Sequence, residues 1–269
     1  MGTIARMSSP LERSLSILQY LAVRPEGMTI STIAEDLGLP LSACHRLLAE
    51  LVRCGWVRQM REHGDYALTT KLAALGLSYL GGSGIVDIAQ PIIDRLADTS
   101  GELVRLAIVD EDRLIWVAKA QGTRTGLRYD PDMGMDARLS CTASGHAWLL
   151  TLSDERALEL VSRQGFGQPK AYGPGAPTTV KALLAVLQAA RKRGYAMIDE
   201  VFAPGMSAMA APVLRGREAV GVLSIAGPRQ RLTLARMQQL APAVLAAAAE
   251  LGPISRASTL FGRPPLGKS

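Results

Sequence analysis

The stretch from Thr29 to Leu68 leaves this chain the fewest ways to fold. Thr29-Ile30-Ser31 offers a helix N-cap, and Ile30, Ile33, Ala34 and Leu37 then recur on one face before Gly38. Gly38-Leu39-Pro40 reads as a tight turn, and LSACHRLLAELVRCGW as a longer helix stopped by Gly55. Upstream, Leu15, Ile17, Leu18 and Leu21 predict a short helix over Ser14–Leu21, ending before Arg24-Pro25. Downstream, Trp56–Met60 reads as a strand, Arg61-Glu62-His63-Gly64-Asp65 as a turn and Tyr66-Ala67-Leu68 as a returning strand. Two helices and a turn alone also describe an ordinary αα-hairpin. Three helices closed at once by a hairpin make a winged helix-turn-helix.

The longer helix divides into two faces. On a wheel at about 100° per residue, Cys44, Leu47, Leu48, Leu51 and Val52 form the expected buried stripe. Opposite lie Ser42, Arg46, Ala49 and Arg53, with His45 on the flank. Small residues permit close approach to a groove, and donors near the helix start reach base edges and phosphates. The candidate nucleic-acid contacts are therefore Ser42, Ala43, His45, Arg46 and Arg53 on the helix, and Arg58, Arg61 and His63 on the wing, with Lys71 a further phosphate contact. A solvated face with ordinary arginines, and a hairpin that merely closes a small domain, are the competing readings.

Charge does not choose between them. Residues 1–80 carry eight basic and seven acidic side chains, a net of +1, whereas the rest carry 22 and 17, a net of +5. The surplus behind the overall +6 is diffuse and lies mostly outside the segment with the motif.

Beyond the wing, Leu72, Leu75 and Tyr79 predict a linker helix from Lys71, broken at Gly81-Gly82-Ser83-Gly84. Ile85, Ile88, Ala89, Ile92 and Leu96 mark another helix ending near Gly101, and Leu103–Val109 with Leu114–Ala120 alternate as a hairpin. Helices follow over Ala143–Leu150, Asp154–Arg163 and Val180–Arg193, then strands over Tyr195–Asp199, Met209–Leu214 and Ala219–Ile225, and a last helix after Thr233 that Pro242 is expected to kink. The expected division is a flexible N-terminus (1–10), a winged helix-turn-helix (11–70), a linker helix and hinge (71–84), an α+β sensor domain (85–252) and a disordered tail (253–269).

Several stretches carry a family resemblance. The run IAEDLGLPLSACHRLLAELVRCGWV, with YALTTKLAALG after it, resembles the N-terminal domain of IclR-type transcriptional regulators. Ala43 replaces a hydroxyl residue usual at the start of the recognition helix, which leaves the operator sequence open. LSCTASGHAWLL (139–150), GYAMIDEVFAPGMSAMAAPV (194–213) and AVGVLSIAGP (219–228) resemble, in order and spacing, the family's GAF-like effector domain. The resemblance implies an α+β architecture, an N-terminal winged helix-turn-helix joined by a linker helix to a GAF-like α+β effector-binding domain. It also implies a homodimer or dimer of dimers on double-stranded palindromic DNA, controlling an adjacent catabolic operon in the cytoplasm.

By the same resemblance Thr142, Ala143, Ser144 and Gly145 border the effector pocket, and Asp199, Met206, Ser207 and Ser224 map onto its lining. The helix start at Ala143 favours a carboxylate, so the expected effector is a small organic acid, aromatic acids included. Ala208 and Ala226 stand where other members carry polar groups; with Met133, Met197 and Met206 nearby, that points to a more apolar ligand, although ordinary core filling accounts for each Met.

The alternative from another class is a small-molecule hydrolase using Ser144 or Cys141 with His146. A helix puts residues i and i+2 on different sides, and no GxSxG elbow, Walker A, HExxH or strand-to-helix GxGxxG occurs. Asp199-Glu200, adjacent on a strand, face opposite ways and do not share a proton. Three cysteines without CxxC spacing indicate neither a disulfide framework nor a metal knuckle, and Cys141 and Trp148 read as core. No cofactor or metal is expected. The run Leu240–Ala249 is shorter than the roughly 18 residues of a spanning helix, and no membrane partner is expected. The start of the chain lacks an export signal's apolar stretch.

Overall fold

The computed structural model describes residues 9–60, 64–129, 133, 136–167, 171–258 and 260–261. The chain divides into two compact units, 1–82 and 83–269.

In the first unit, α1 (Pro10–Ala22) starts four residues before the predicted Ser14, because Ser9 and Glu12 cap each other's backbone N–H reciprocally. α2 (Ile30–Asp36) begins at Thr29, whose hydroxyl accepts from the Thr32 N–H. The turn to α3 (Leu41–Arg53) passes through Gly38 at φ +62°, a left-handed conformation costly for other residues. β1 (Val57–Gln59) and β2 (Tyr66–Leu68) pair antiparallel, and α4 (Thr70–Gly82) follows. Ile17, Leu21, Ile33, Cys44, Leu48 and Val57 close one core beneath all three helices. α4 runs through Gly81 and Gly82, so the break falls at Ser83-Gly84 rather than earlier.

The second unit is built on a five-stranded antiparallel sheet. Its elements are α5 (Ile85–Ser100), β3 (Leu103–Asp110), β4 (Arg113–Gln121), α6 (Ala143–Leu149), α7 (Asp154–Gln164), α8 (Val180–Arg193), β5 (Ala196–Asp199), β6 (Met206–Arg215), β7 (Glu218–Pro228) and α9 (Leu234–Ile254). The strand order is β4-β3-β7-β6-β5. β6 starts three residues before the predicted Met209. α5 and α9 pack against this sheet, as does α6. Arg105 pairs with Ser224, Ala107 with Val222, Leu103 with Ala226, and Ala208 with Ala226, so these residues share one face. That face and α6, α7 and α8 enclose a core containing Leu139, Ala147, Trp148, Leu160, Leu183 and Leu187.

The expected disorder of the tail from 253 is corrected here. α9 continues through Pro242 and Pro253, and a 3-10 turn at Ser255–Ala257 follows, so the tail beginning at 253 is ordered as far as it is described. Leu260 and Phe261 are buried; Phe261 sits over Gly221, and its carbonyl accepts from Arg215 Nη1 at 3.4 Å. Apolar side chains at 260–261 outweigh the Ser and Pro content of the segment. Among the described residues no single helix is long and apolar enough to cross a membrane.

Candidate functional site

Each unit presents one candidate surface. On α3, Ser42, His45, Arg46 and Ala49 are exposed, on the side opposite the buried Cys44 and Leu48. Ala43 is corrected: it is buried beside Cys44, whereas Val52, assigned to the stripe, is 38% exposed. The buried arc is therefore turned toward Ala43 and Leu47, so Ala43 faces the core rather than a groove. Arg53 is exposed but pairs with Glu50 at 2.7 Å. Arg58 is exposed on β1, whereas Arg61 and His63 lie outside the described residues. Lys71 Nζ donates to the Cys54 carbonyl at 2.8 Å and lies 4.8 Å from the Trp56 ring, which fastens it to the end of α3.

The second surface is a cavity of about 480 Å³ between the sheet face and α6. Thr142, Ala143 and Ser144 line it from the α6 start, and Met206, Ser207 and Ser224 from the sheet. Ala208 and Ala226 also line it, which makes that side apolar. Two predicted residues stand outside the lining. Gly145 packs against Leu139, where an added Cβ would lie 2.5 Å from backbone, and donates its N–H to Thr142 Oγ1. Asp199 accepts from Ser207 Oγ at 2.8 Å and pairs with Arg229 at 2.9 Å, so it positions a lining residue from behind.

The sequence reading missed much of the polar and aromatic wall: Arg105, Arg138, Tyr129, Trp116, Tyr172 and Phe202. Arg105 is only 7% exposed and stacks its guanidinium 3.9 Å from the Trp116 ring centre. The Trp116 indole N–H finds no acceptor among the described residues. Burial pushes the Tyr129 phenol up, against the opposing pull of the Arg105 charge, so it stays a neutral donor. Arg138 Nη1 donates to the carbonyls of Gln164 and Gly165, and Asp136 pairs with Arg113 at 3.7 Å. An Arg inside the otherwise apolar run LVRLAIV was the one available sign of this wall.

The hydrolase geometry is not assembled. His146 Nε2 donates to the Ser140 carbonyl at 2.8 Å, which leaves Nδ1 as an acceptor with no donor among the described residues. Full burial lowers the imidazole's pKa, and burial pushes the Cys141 thiol up to about 11. A protonated thiol and a neutral, backbone-held imidazole do not form a nucleophile–base pair.

Residues 10–61 match the model of the IclR helix-turn-helix domain, and residues 77–252 that of the bacterial transcriptional regulator IclR C-terminal region. The chain is 32% identical over 244 residues to the acetate operon repressor of Salmonella typhimurium, covering 90% of this chain and 88% of that protein. Its fold is similar to that of an IclR transcriptional regulator from Alicyclobacillus acidocaldarius, with a TM-score of 0.78 at 24% identity over 91% of this chain and 98% of that one. An IclR homologue from Microbacterium hydrocarbonoxydans, solved with 4-hydroxybenzoate, aligns with a TM-score of 0.75 at 22% identity over 93% of this chain and 100% of that one. The chain belongs to the IclR family of transcriptional regulators, which are DNA-binding proteins rather than enzymes.

Proposed function

We propose that this protein is a cytoplasmic, effector-responsive regulator that binds a palindromic operator as a homodimer or dimer of dimers and controls a catabolic operon. Ser42, His45 and Arg46 read the major groove, and Arg53 and Arg58 contact phosphates, with Arg61 and His63 as further candidate contacts. A small organic acid occupies the cavity of the second unit. The observation that carries this reading is the cavity itself: arginine side chains and buried hydroxyls, with the Asp136 carboxylate paired to Arg113, are set in a wall that is apolar and aromatic elsewhere, which suits an anionic group on an apolar body. The 4-hydroxybenzoate bound by the Microbacterium homologue has that chemistry. Regulation requires that the acid bind one quaternary arrangement better than another, since a ligand shifts an equilibrium only by its differential affinity.

A thermal-shift screen of aromatic and short-chain acids, followed by gel shifts on DNA upstream of the neighbouring genes, tests both halves. An acid at about 100 times its Kd stabilises the chain by about 2.7 kcal/mol. The same acid changes the gel shift. Stabilisation without any change in DNA affinity would separate the cavity from regulation and defeat the proposal.

A further inference from the structure

The cavity wall contains a device that decides which end of a ligand goes where. β3 and β4 pair in register until Leu106 faces Ala118; a bulge then sets Ala107 opposite Trp116. In a regular ladder Ala107 faces Val117, and Trp116 falls on the sheet's other face. The extra residue turns the Trp116 ring toward the cavity, on the same face as Arg105. There the guanidinium carbon lies over the indole, 3.9 Å from the ring centre. Ser224, paired across the sheet, donates its hydroxyl to the Arg105 carbonyl at 3.3 Å and fixes the backbone beneath it. The result is a planar, permanently charged fork in a buried wall, with the buried Trp116 indole N–H beside it.

A second arginine, Arg138, also lines the wall. Arg138 spends its Nη1 on the carbonyls at Gln164 and Gly165, holding the segment after α7. Ile198, Ala208 and Ala226 offer only apolar contact.

We propose that Arg105 reads the acid group of the effector, with Trp116 as the positioning residue that holds its guanidinium in the cavity wall. This rests on the organic-acid reading of the cavity, and it fixes the pose: carboxylate at the β3–β4 side, apolar body toward Ile198, Phe202 and Met206. It also makes the site select acids against their uncharged amides, which have the same shape without the charge.

The test is calorimetric titration of the full chain with benzoate, phenylacetate and 4-hydroxybenzoate, each beside its amide. Wild type prefers the acid by about tenfold or more, the span of a charge-assisted hydrogen bond. Arg105→Gln brings the acid-to-amide ratio close to one while operator binding is kept. Arg105→Lys keeps a preference for the acid at lower affinity. A merely structural role weakens acid and amide alike and leaves the ratio unchanged, which overturns the assignment. Should Arg105→Gln not fold, arginine Nε–H NMR on wild type decides: the Arg105 resonance moves with benzoate and not with benzamide, and one that ignores benzoate overturns the proposal. If no acid of the panel binds at millimolar concentration, the organic-acid reading falls and this assignment with it. Acids that bind with an unaltered ratio in Arg105→Gln remove Arg105 alone.

Discussion

Arg46 stands on the outward side of α3 with Ser42 and His45 beside it, whereas Arg53 is tied to Glu50 at 2.7 Å. Arg46→Ala therefore loses about 100-fold or more in operator affinity, since one good base contact is worth about 1–3 kcal/mol and a dimer loses two. The variant's affinity for the acid stays unchanged, because the residue belongs to the other unit; gel shift and calorimetry measure the two separately, and normal operator affinity sinks the recognition assignment. His146 makes a different kind of prediction. Burial holds its folded pKa below the ordinary 6.5, so below that pH the unfolded chain takes a proton that the folded chain refuses. Its contribution to stability is intact above about pH 6.5 and is lost as pH falls toward the depressed folded value, at about 1.4 kcal/mol per pH unit at most. Melting curves between pH 7.5 and 5.5 should show Tm falling for wild type and a flatter profile for His146→Gln. Parallel profiles would mean that another group titrates.

At the level of elements, α6 shows how closely the cavity roof is fitted. Gly145 rests on the backbone of Leu139, and an added Cβ would lie 2.5 Å from the Leu139 carbonyl oxygen, where no side chain can swing aside. Gly145→Ala must shift α6, at a cost of about 1–3 kcal/mol for overpacking. It should lower Tm and blunt acid-induced stabilisation while operator binding persists; an unchanged Tm would show that the roof has slack. The four helices of the first unit and nearly every element of the second were legible from apolar periodicity, helped in the first unit by the cap at Thr29. The cavity wall was not. In β4 the buried residues Leu114, Trp116, Ala118 and Ala120 alternate without interruption, so the bulge that sends the first two to the cavity side leaves no mark in the pattern. Ala43 failed for a milder reason: a wheel gives angles between residues, but the neighbouring elements decide where the buried arc is centred.

The molecule as a whole must explain how a unit with a net charge of +1 over residues 1–80 holds DNA at all. A few placed arginines on one copy make a weak binder, and a second copy on a symmetric operator multiplies them. α4 offers the means. None of its residues is buried within the chain, and Leu75, Leu77 and Tyr79 are 57%, 70% and 50% exposed. A helix of 13 residues is marginal in water unless an apolar face is covered, and Leu72, Leu75 and Tyr79 fall on one side of this one. The proposed homodimer predicts that a second copy of the same helix covers that stripe isologously. Light scattering on the wild-type chain should then give at least twice the 28.6 kDa of a single chain. Leu75→Glu with Tyr79→Glu should give the single-chain mass, because burying either carboxylate costs more than the contact returns. In that variant the slope of operator affinity against salt concentration should fall to about half, as phosphate contacts from one half-site are lost. The acid should still bind, since every residue of the cavity wall lies in the second unit. A wild-type chain that runs as a monomer at micromolar concentration, or a double variant that keeps the full salt slope, would take dimerisation away from α4 and leave the proposed palindromic operator without a structural cause.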